Sequence, residues 1–450
     1  MQMKNRQYTQ NPYILFFPFL LVYIAYVLIV RKPDLWGDEI RHFDQAAEFA
    51  TGHFIKPGDP VEIRNGPGYP LWITVCMLLH IPLMFLKLLN AVITYLSVVL
   101  LFKASRYHTS FRLSLLIGVF WGCYFHNLDF MPYLYSENAA VFLSSLLLFL
   151  VVKSMNTPVR TWKNKYVYLA GLTFAYLALT KVIFGYVILC LLLLNILLWI
   201  INRKASSFKN AIAISLVALF LCIPYLSLTY AHTGKVFYWA TSGGNNLYWM
   251  GTPYKYEYGN WYSATTFELD STFDKADRGR KVDLTERAVD NIPGMIDSLR
   301  AHHEAAYRDI YRFKGVERDE MFSKYFLENV KKHPKKFLLN CFSNAGRMLV
   351  NLPFSYSLQK PGNLVRIPLN AIIVLFSLLC LLPTLLNWRR IPYEARYFLF
   401  FCALYFGGSL LGSAEIRMFS VIVPPILFWI GIVLEKFVRV RLKPDEPFEK

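Results

Sequence analysis

The sequence predicts an all-α polytopic membrane protein that crosses the bilayer about ten times. Three observations predict it. The 450 residues are 55% hydrophobic and only 17% charged, whereas soluble domains run nearer to a quarter charged. The apolar residues are gathered into long, uncharged runs instead of being spread at amphipathic spacing. The Lys and Arg residues fall between those runs, on alternate connections. A soluble chain of this length would ordinarily divide into two or three domains. The runs override that expectation, because a hydrocarbon core about 30 Å thick asks for roughly 20 apolar residues in a helix.

In order, the runs are Tyr13–Val30, Leu88–Phe102, Leu113–Leu128, Asn138–Val152, Tyr166–Thr180, Val182–Asn202, Asn210–Tyr230, Ile367–Trp388, Tyr397–Ala414 and Met418–Leu434. Several are short for a full crossing, so their helices are expected to include flanking polar residues. The first has no small-residue cleavage site before Arg31–Lys32–Pro33, so it is expected to be a retained helix and not a signal peptide. Gly68–Phe102 is expected to make one net crossing, broken near His80–Pro82, with a shallow first part. Lys335–Pro353 carries Arg347 and three asparagines and reads as an amphipathic helix at the outer interface. The seven cysteines are scattered without metal-ligand spacing and read as small core hydrophobes.

Orientation follows from the basic loops. The segments Lys103–Arg112, Lys153–Lys165, Arg203–Lys209, Arg389–Arg390 and Lys436–Lys443, with the amino terminus, are expected to be cytoplasmic. These loops against anionic lipid account for the formal charge of +18. The bases form no stripe, so nucleic-acid binding is not expected. Between Ile63 and Tyr256 the only acids are Asp129 and Glu137, both in one outer loop. The others collect mainly in the first outer loop and in a soluble insert, Ala231–Lys336, which reads as helical from Leu284 to Val330.

The first outer loop is the most informative stretch. Ile40, Phe43, Ala47 and Ala50 recur at helical spacing, so a short amphipathic helix is expected at the membrane surface. Asp38 and Glu39 occupy its first turn, where acids also stabilise a helix through its dipole. His42 stands one turn after Asp38, either in contact with it or solvated at the surface. Glu137, after Ser136, stands at the outer lip of a crossing, as a functional carboxylate or as a helix cap. Lys181 and Arg417 are outward bases that either snorkel to headgroups or together hold an anion at the outer surface.

Asp38-Glu39, Gly66-Pro67-Gly68-Tyr69-Pro70, Ser136-Glu137, Leu179-Thr180-Lys181 and Glu415-Ile416-Arg417 before Pro424-Pro425 occur in that order. In order and topology they resemble the GT-C superfamily of polyprenyl-phosphate-sugar glycosyltransferases. The types most similar are the dolichyl-phosphate-mannose–protein mannosyltransferases and the bacterial lipid A aminoarabinose transferase. Gly243–Gly251 is similar to a stretch that bacterial members carry after the seventh crossing.

The resemblance implies a GT-C-like transmembrane module over residues 1–230, with a catalytic first outer loop at 31–68. An outer-face soluble or interfacial region would follow at 231–363, then C-terminal transmembrane helices and a basic cytoplasmic tail at 364–450. It also implies transfer of a monosaccharide from an undecaprenyl- or dolichyl-phosphate carrier to a lipid, glycan or protein acceptor, at the periplasmic or extracellular face of a bacterial inner membrane. Asp38 would be the catalytic carboxylate, with Glu39 and Glu137 in support. Lys181, Arg64 and Arg417 would meet the carrier phosphate. Substrate contacts are expected from His42, Tyr69, Asn245, Asn246 and Glu415. The aminoarabinose branch has a lysine just before the proline matching Pro67; here Gly66 stands there, and Arg64 is the substitute.

The chemistry agrees with that reading. A lipid phosphate leaves as an anion and needs cations, not a general acid. The acceptor hydroxyl must lose a proton, which one carboxylate can take. The sequence specifies no cofactor, and a divalent metal is left open because no ligand spacing specifies one. The alternatives are a lipid-linked sugar flippase or transporter, which would place charges at the bilayer midplane, and an O-antigen ligase or polymerase.

Overall fold

The computed structural model describes residues 11–30, 32, 34–35, 37–55, 61, 63, 66–202, 206–262, 294–356, 361–412 and 414–438. Among these residues all regular structure is helical. Each of the ten apolar runs contains a helix: α1 is Phe17–Val30, α2 the outer-loop helix Asp38–Ala50, α3 Gly68–Leu78, α4 Leu83–Ser105 and α5 Phe111–Gly122. They continue with α6 Ser136–Met155, α7 Lys165–Thr180, α8 Ile183–Ile201, α9 Ser206–Thr233 and α10 Gly243–Met250. The insert adds α11 Met295–Ile310 and α12 Gly315–Lys332; then come α13 Pro334–Val350, α14 Ile367–Leu386, α15 Tyr393–Leu410, α16 Ile416–Phe419 and α17 Val423–Phe437.

Among the described residues, five helical segments are long and apolar enough to cross a membrane: α4, α6, α8, α9 and the segment Leu364–Leu386 that contains α14. The protein is an integral, polytopic membrane protein. On α14, Leu378, Leu379, Leu382, Leu385 and Leu386 are all exposed, a continuous apolar surface suited to lipid tails. The expected break between α3 and α4 is present: His80 is left-handed (φ 53°) and Pro82 is the residue before α4. Proline disfavours helical backbone in the residue before it, so the chain cannot run straight through. α5 is shorter than its run: Tyr23 donates its hydroxyl to the Gly122 carbonyl at 2.6 Å, and the chain turns there instead of continuing to Leu128.

α6 lies at the centre of the bundle, and most of its length is buried. Ala139, Ala140, Ser144 and Ser145 are buried on it, and small residues let neighbouring helices come close. α4 and α7 pack on α6, α9 on α7, α8 on α9, α15 on α8, and α17 closes against α4, α5, α6 and α15.

The insert has its own core of Tyr248, Trp249, Leu299, Tyr307 and Phe322. Within the stretch read as helical from Leu284 to Val330, the described residues form two helices, and residues 284–293 lie outside the described set. Gly315 (φ 54°) opens the second helix, and a Cβ there would stand 2.6 Å from the Val61 carbonyl oxygen. Glycine permits both the positive φ and this approach, which docks the insert on the first outer loop.

α13 is amphipathic, with its polar face turned inward. Lys336, Asn340, Asn344 and Arg347 follow one another at helical spacing, while Leu338, Leu339 and Phe342 are exposed. Arg347 is fully buried and donates to the carbonyls of Tyr258 (2.6 Å) and Pro353 (3.0 Å) and to Asn344 Oδ1 (2.7 Å). Asn344 donates to the carbonyls of Ser409 (3.0 Å), Leu410 (3.1 Å) and Gly412 and accepts from the Ala414 N–H (2.9 Å). This polar row fixes the loop that leads into α16.

Candidate active site

Five of the charged residues singled out from the sequence, Asp38, Glu137, Lys181, Glu415 and Arg417, meet at one end of the bundle. Asp38 Oδ1 accepts from Arg41, one turn along α2, at 2.7 Å, and its Oδ2 accepts from Arg417 at 2.6 Å. Arg417 is the hub. Its Nε lies 2.9 Å from Glu415 Oε2 and 3.4 Å from Glu137 Oε1, and its guanidinium sits 4.6 Å from the centre of the Tyr135 ring. Glu137 Oε1 accepts from Lys181 Nζ at 3.0 Å. Three carboxylates (Asp38, Glu137, Glu415) thus face three cations (Arg41, Lys181, Arg417), and the network is neutral.

Local structure explains the convergence. Glu137 lies in the first turn of α6, where the helix dipole favours an anion. Lys181 follows the last residue of α7 in extended backbone, which turns it away from the helix axis. The start of α3 is pressed against that corner. A Cβ on Gly66 would stand 2.0 Å from the Leu179 carbonyl oxygen, and one on Gly68 2.7 Å from the Thr180 nitrogen. Tyr176 also donates to the Gly68 carbonyl at 2.7 Å. The Gly66-Pro67-Gly68 motif is therefore a close contact that sets the position of Lys181.

Burial alone would raise the Asp38 carboxyl, but the charges of Arg417 and Arg41 outweigh it and hold Asp38 well below the usual carboxylate range. Burial works against the charged form of Arg417, and Glu137, Glu415 and Asp38 overcome it, so the guanidinium stays charged.

His42 is buried at 4% exposure, not solvated. The face of α2 that carries it packs on α3, and its ring meets the Tyr69 ring edge-on at 5.1 Å. Its Nδ1 is buried and has no hydrogen-bond partner among the described residues. Burial, with the Arg41 charge and against the pull of Asp38, pushes His42 down to about 3, so it is a neutral imidazole.

Glu39 is placed differently from Asp38. It is fully buried, accepts the Leu134 N–H at 2.7 Å, and lies 3.2 Å from Lys87 Nζ, which also donates to the Lys32 carbonyl at 2.7 Å. This ion pair pins the start of α2 to α4. Removing one partner of a buried pair leaves an uncompensated charge at about 3–5 kcal/mol, while replacing both is closer to neutral. Glu39→Gln is therefore expected to lower the thermal unfolding midpoint more than Glu39→Gln/Lys87→Met does. An equal drop in the two variants would show that the pair is not what holds α2.

Asn245 and Asn246 bond within the insert: Asn245 Oδ1 accepts from Tyr307 (3.3 Å) and Asn246 donates to the Ser242 carbonyl (3.1 Å). Arg64 lies outside the described residues. Sequence reasoning missed Arg41, Tyr135 and Lys87. The Asp38–Arg41 spacing of one turn was an available signal, whereas Lys87 sits just before an apolar run and looked like its boundary.

No family model and no curated protein matches the chain. Solved structures do. The chain is similar to ArnT from Cupriavidus metallidurans in the apo state, at 13% identity and a TM-score of 0.40, covering 94% of this chain and 77% of that one. The form of ArnT bound to undecaprenyl phosphate matches at 14% identity and a TM-score of 0.39, with the same coverage. The archaeal oligosaccharyltransferase AglB from Archaeoglobus fulgidus, in complex with an inhibitory peptide and a dolichol-phosphate, matches at 10% identity and a TM-score of 0.46. That match covers 93% of this chain and 50% of AglB, so the chain spans half the length of that protein.

Proposed function

We propose that this protein is a membrane glycosyltransferase that moves a monosaccharide from a polyprenyl-phosphate carrier to an acceptor at the outer face of a bacterial inner membrane. The observation that supports it most is the Arg417 hub: one guanidinium shared by three carboxylates, with Lys181 beside it and Asp38 still 26% exposed.

An incoming carrier phosphate is a further anion. It competes with the carboxylates for Arg417 and Lys181, both of which can donate to phosphate oxygens. As Arg417 turns toward the phosphate, Asp38 loses a cation that holds its basicity down and becomes a better proton acceptor. The acceptor hydroxyl then attacks the anomeric carbon. Its proton passes to Asp38, the carbon–oxygen bond to phosphate breaks, and the phosphate leaves as an anion on its lipid. Attack opposite the leaving group inverts the anomeric centre. His42, a neutral imidazole behind Asp38, is assigned to the sugar contact as the carrier enters. Glu39 serves by fixing α2, and therefore Asp38.

The test supplies radiolabelled polyprenyl-phosphate sugar to the purified protein in nanodiscs, with membrane lipid and glycan fractions as acceptors. The expected result is label leaving the carrier and appearing on an acceptor. Movement of intact labelled carrier across sealed vesicles without cleavage would instead identify a transporter.

A further inference from the structure

We propose that Glu257, His302 and His303 form a binding site for a divalent transition metal of the zinc type, separate from the Arg417 network, which clips the insert together next to α13. The ligand atoms of these residues lie within 4.8 Å of one another. His302 Nδ1 is 2.9 Å from Glu257 Oε1, and His303 Nε2 is 2.9 Å from Oε2. A tetrahedral zinc with ligand bonds of about 2.0–2.1 Å needs ligand–ligand edges of about 3.3 Å, which fall between the 2.9 Å contacts and the 4.8 Å limit of the cluster.

Charge points the same way. The Glu257 side chain is 1% exposed, and among the described residues no Lys or Arg pairs with its oxygens. Lys336 donates to the Glu257 backbone carbonyl instead, at 2.6 Å. The carboxylate is surrounded by imidazoles and hydroxyls, from Thr252 and Tyr356. A divalent cation held by all three side chains would bring two positive charges to this buried anion. Two imidazoles and one carboxylate suit a first-row transition metal better than calcium or magnesium, which prefer all-oxygen sets.

The outer partners are also in place. Tyr248 Oη is 2.7 Å from His303 Nδ1, so that nitrogen can donate to the hydroxyl oxygen, which leaves the lone pair of Nε2, on the Glu257 side, for a metal. The His302 ring stacks on Tyr254 with 3.6 Å between centroids. Its side chain is 31% exposed, which gives the ion an entry path. The Tyr356 hydroxyl, 2.9 Å from Oε1 and 3.2 Å from His302 Nδ1, stands where a fourth ligand or a water would complete the sphere. The role is structural. The cluster joins the 252–257 loop, α11 and Tyr356, and that loop is bonded to Lys336 and Asn340 of α13.

The experiment uses full-length protein in detergent, stripped with a chelator and titrated with zinc chloride, with metal content read by elemental analysis. The expected result is one zinc per chain and a higher thermal unfolding midpoint, with no such shift from magnesium or calcium. Glu257→Gln, His302→Gln and His303→Gln are each expected to weaken zinc binding at least about tenfold, and Tyr248→Phe by about 10–100-fold. His232→Gln, outside the cluster, leaves it unchanged. Should a buried variant fail to fold, His302→Gln decides, because its ring is partly exposed. Zinc retained in full by His302→Gln, no stoichiometric zinc in the unaltered protein, or an equal response to magnesium would overturn the site. None of these readouts depends on sugar transfer.

Discussion

Asp38→Asn is expected to lower sugar transfer about 10²–10⁴-fold, the usual worth of a positioned general base, while the variant still folds and binds the carrier. Asparagine keeps the shape of the side chain and an oxygen for Arg41 or Arg417, but it cannot take the acceptor proton. Arg417 still has Glu137 and Glu415, so the hub retains anionic partners. Arg417 and Arg41 keep Asp38 well below the usual carboxylate range, which sets the pH behaviour. A carboxyl with a lowered folded pKa contributes stability above its unfolded value of about 3.9 and loses it as pH falls through the folded value. Between pH 5 and 8 Asp38 is therefore ionised throughout, and the loss of rate in Asp38→Asn is expected to be the same across that window. Transfer that stays within about threefold of the unaltered protein, in a variant with an unshifted thermal midpoint, would remove Asp38 from the chemistry.

The fold was legible where membrane physics leaves few choices. A lipid-facing helix such as α14 must be apolar around its outer surface, so its run stood out, and Pro82 announced the break before α4 by removing a backbone donor. Glu137, Lys181 and Arg417 were legible for the same reason: a charge at the end of an apolar run is costly and needs a purpose. The pairings were not legible. Asp38 and Arg417 lie at opposite ends of the chain, and nothing local says that one meets the other. Asp38 and Glu39 are neighbours in sequence, but successive helical residues point in different directions. One joins the hub, and the other is buried against Lys87. The burial of His42 was not legible, because the packing of α2 on α3 is a tertiary fact, invisible in the spacing of one helix. The Glu257 cluster stayed hidden because adjacent histidines and a distant glutamate match no metal-ligand spacing; the folded insert alone brings them together.

Arg417→Ala carries the largest expected cost to stability as well as to activity. The Arg417 side chain is only 16% exposed and is shared by Asp38, Glu137 and Glu415. Removing it leaves Lys181 and Arg41 to serve three crowded carboxylates, and breaking a buried ion pair from one side costs about 3–5 kcal/mol. Carrier affinity is expected to fall with it, read as weaker binding of polyprenyl phosphate, because the cation proposed to meet the phosphate is gone. Arg417→Lys restores the charge but not the planar fork that reaches several oxygens at once, so it is expected to recover stability more than transfer. Neutralising a carboxylate should repair the fold without repairing the chemistry. Arg417→Ala/Glu137→Gln is expected to unfold at a higher temperature than Arg417→Ala alone, and to remain inactive. If Arg417→Ala keeps both its thermal midpoint and its affinity for the carrier, the hub neither holds the three carboxylates together nor receives the phosphate. If only the double variant regains transfer, Arg417 acts by masking Glu137 and not by meeting the phosphate.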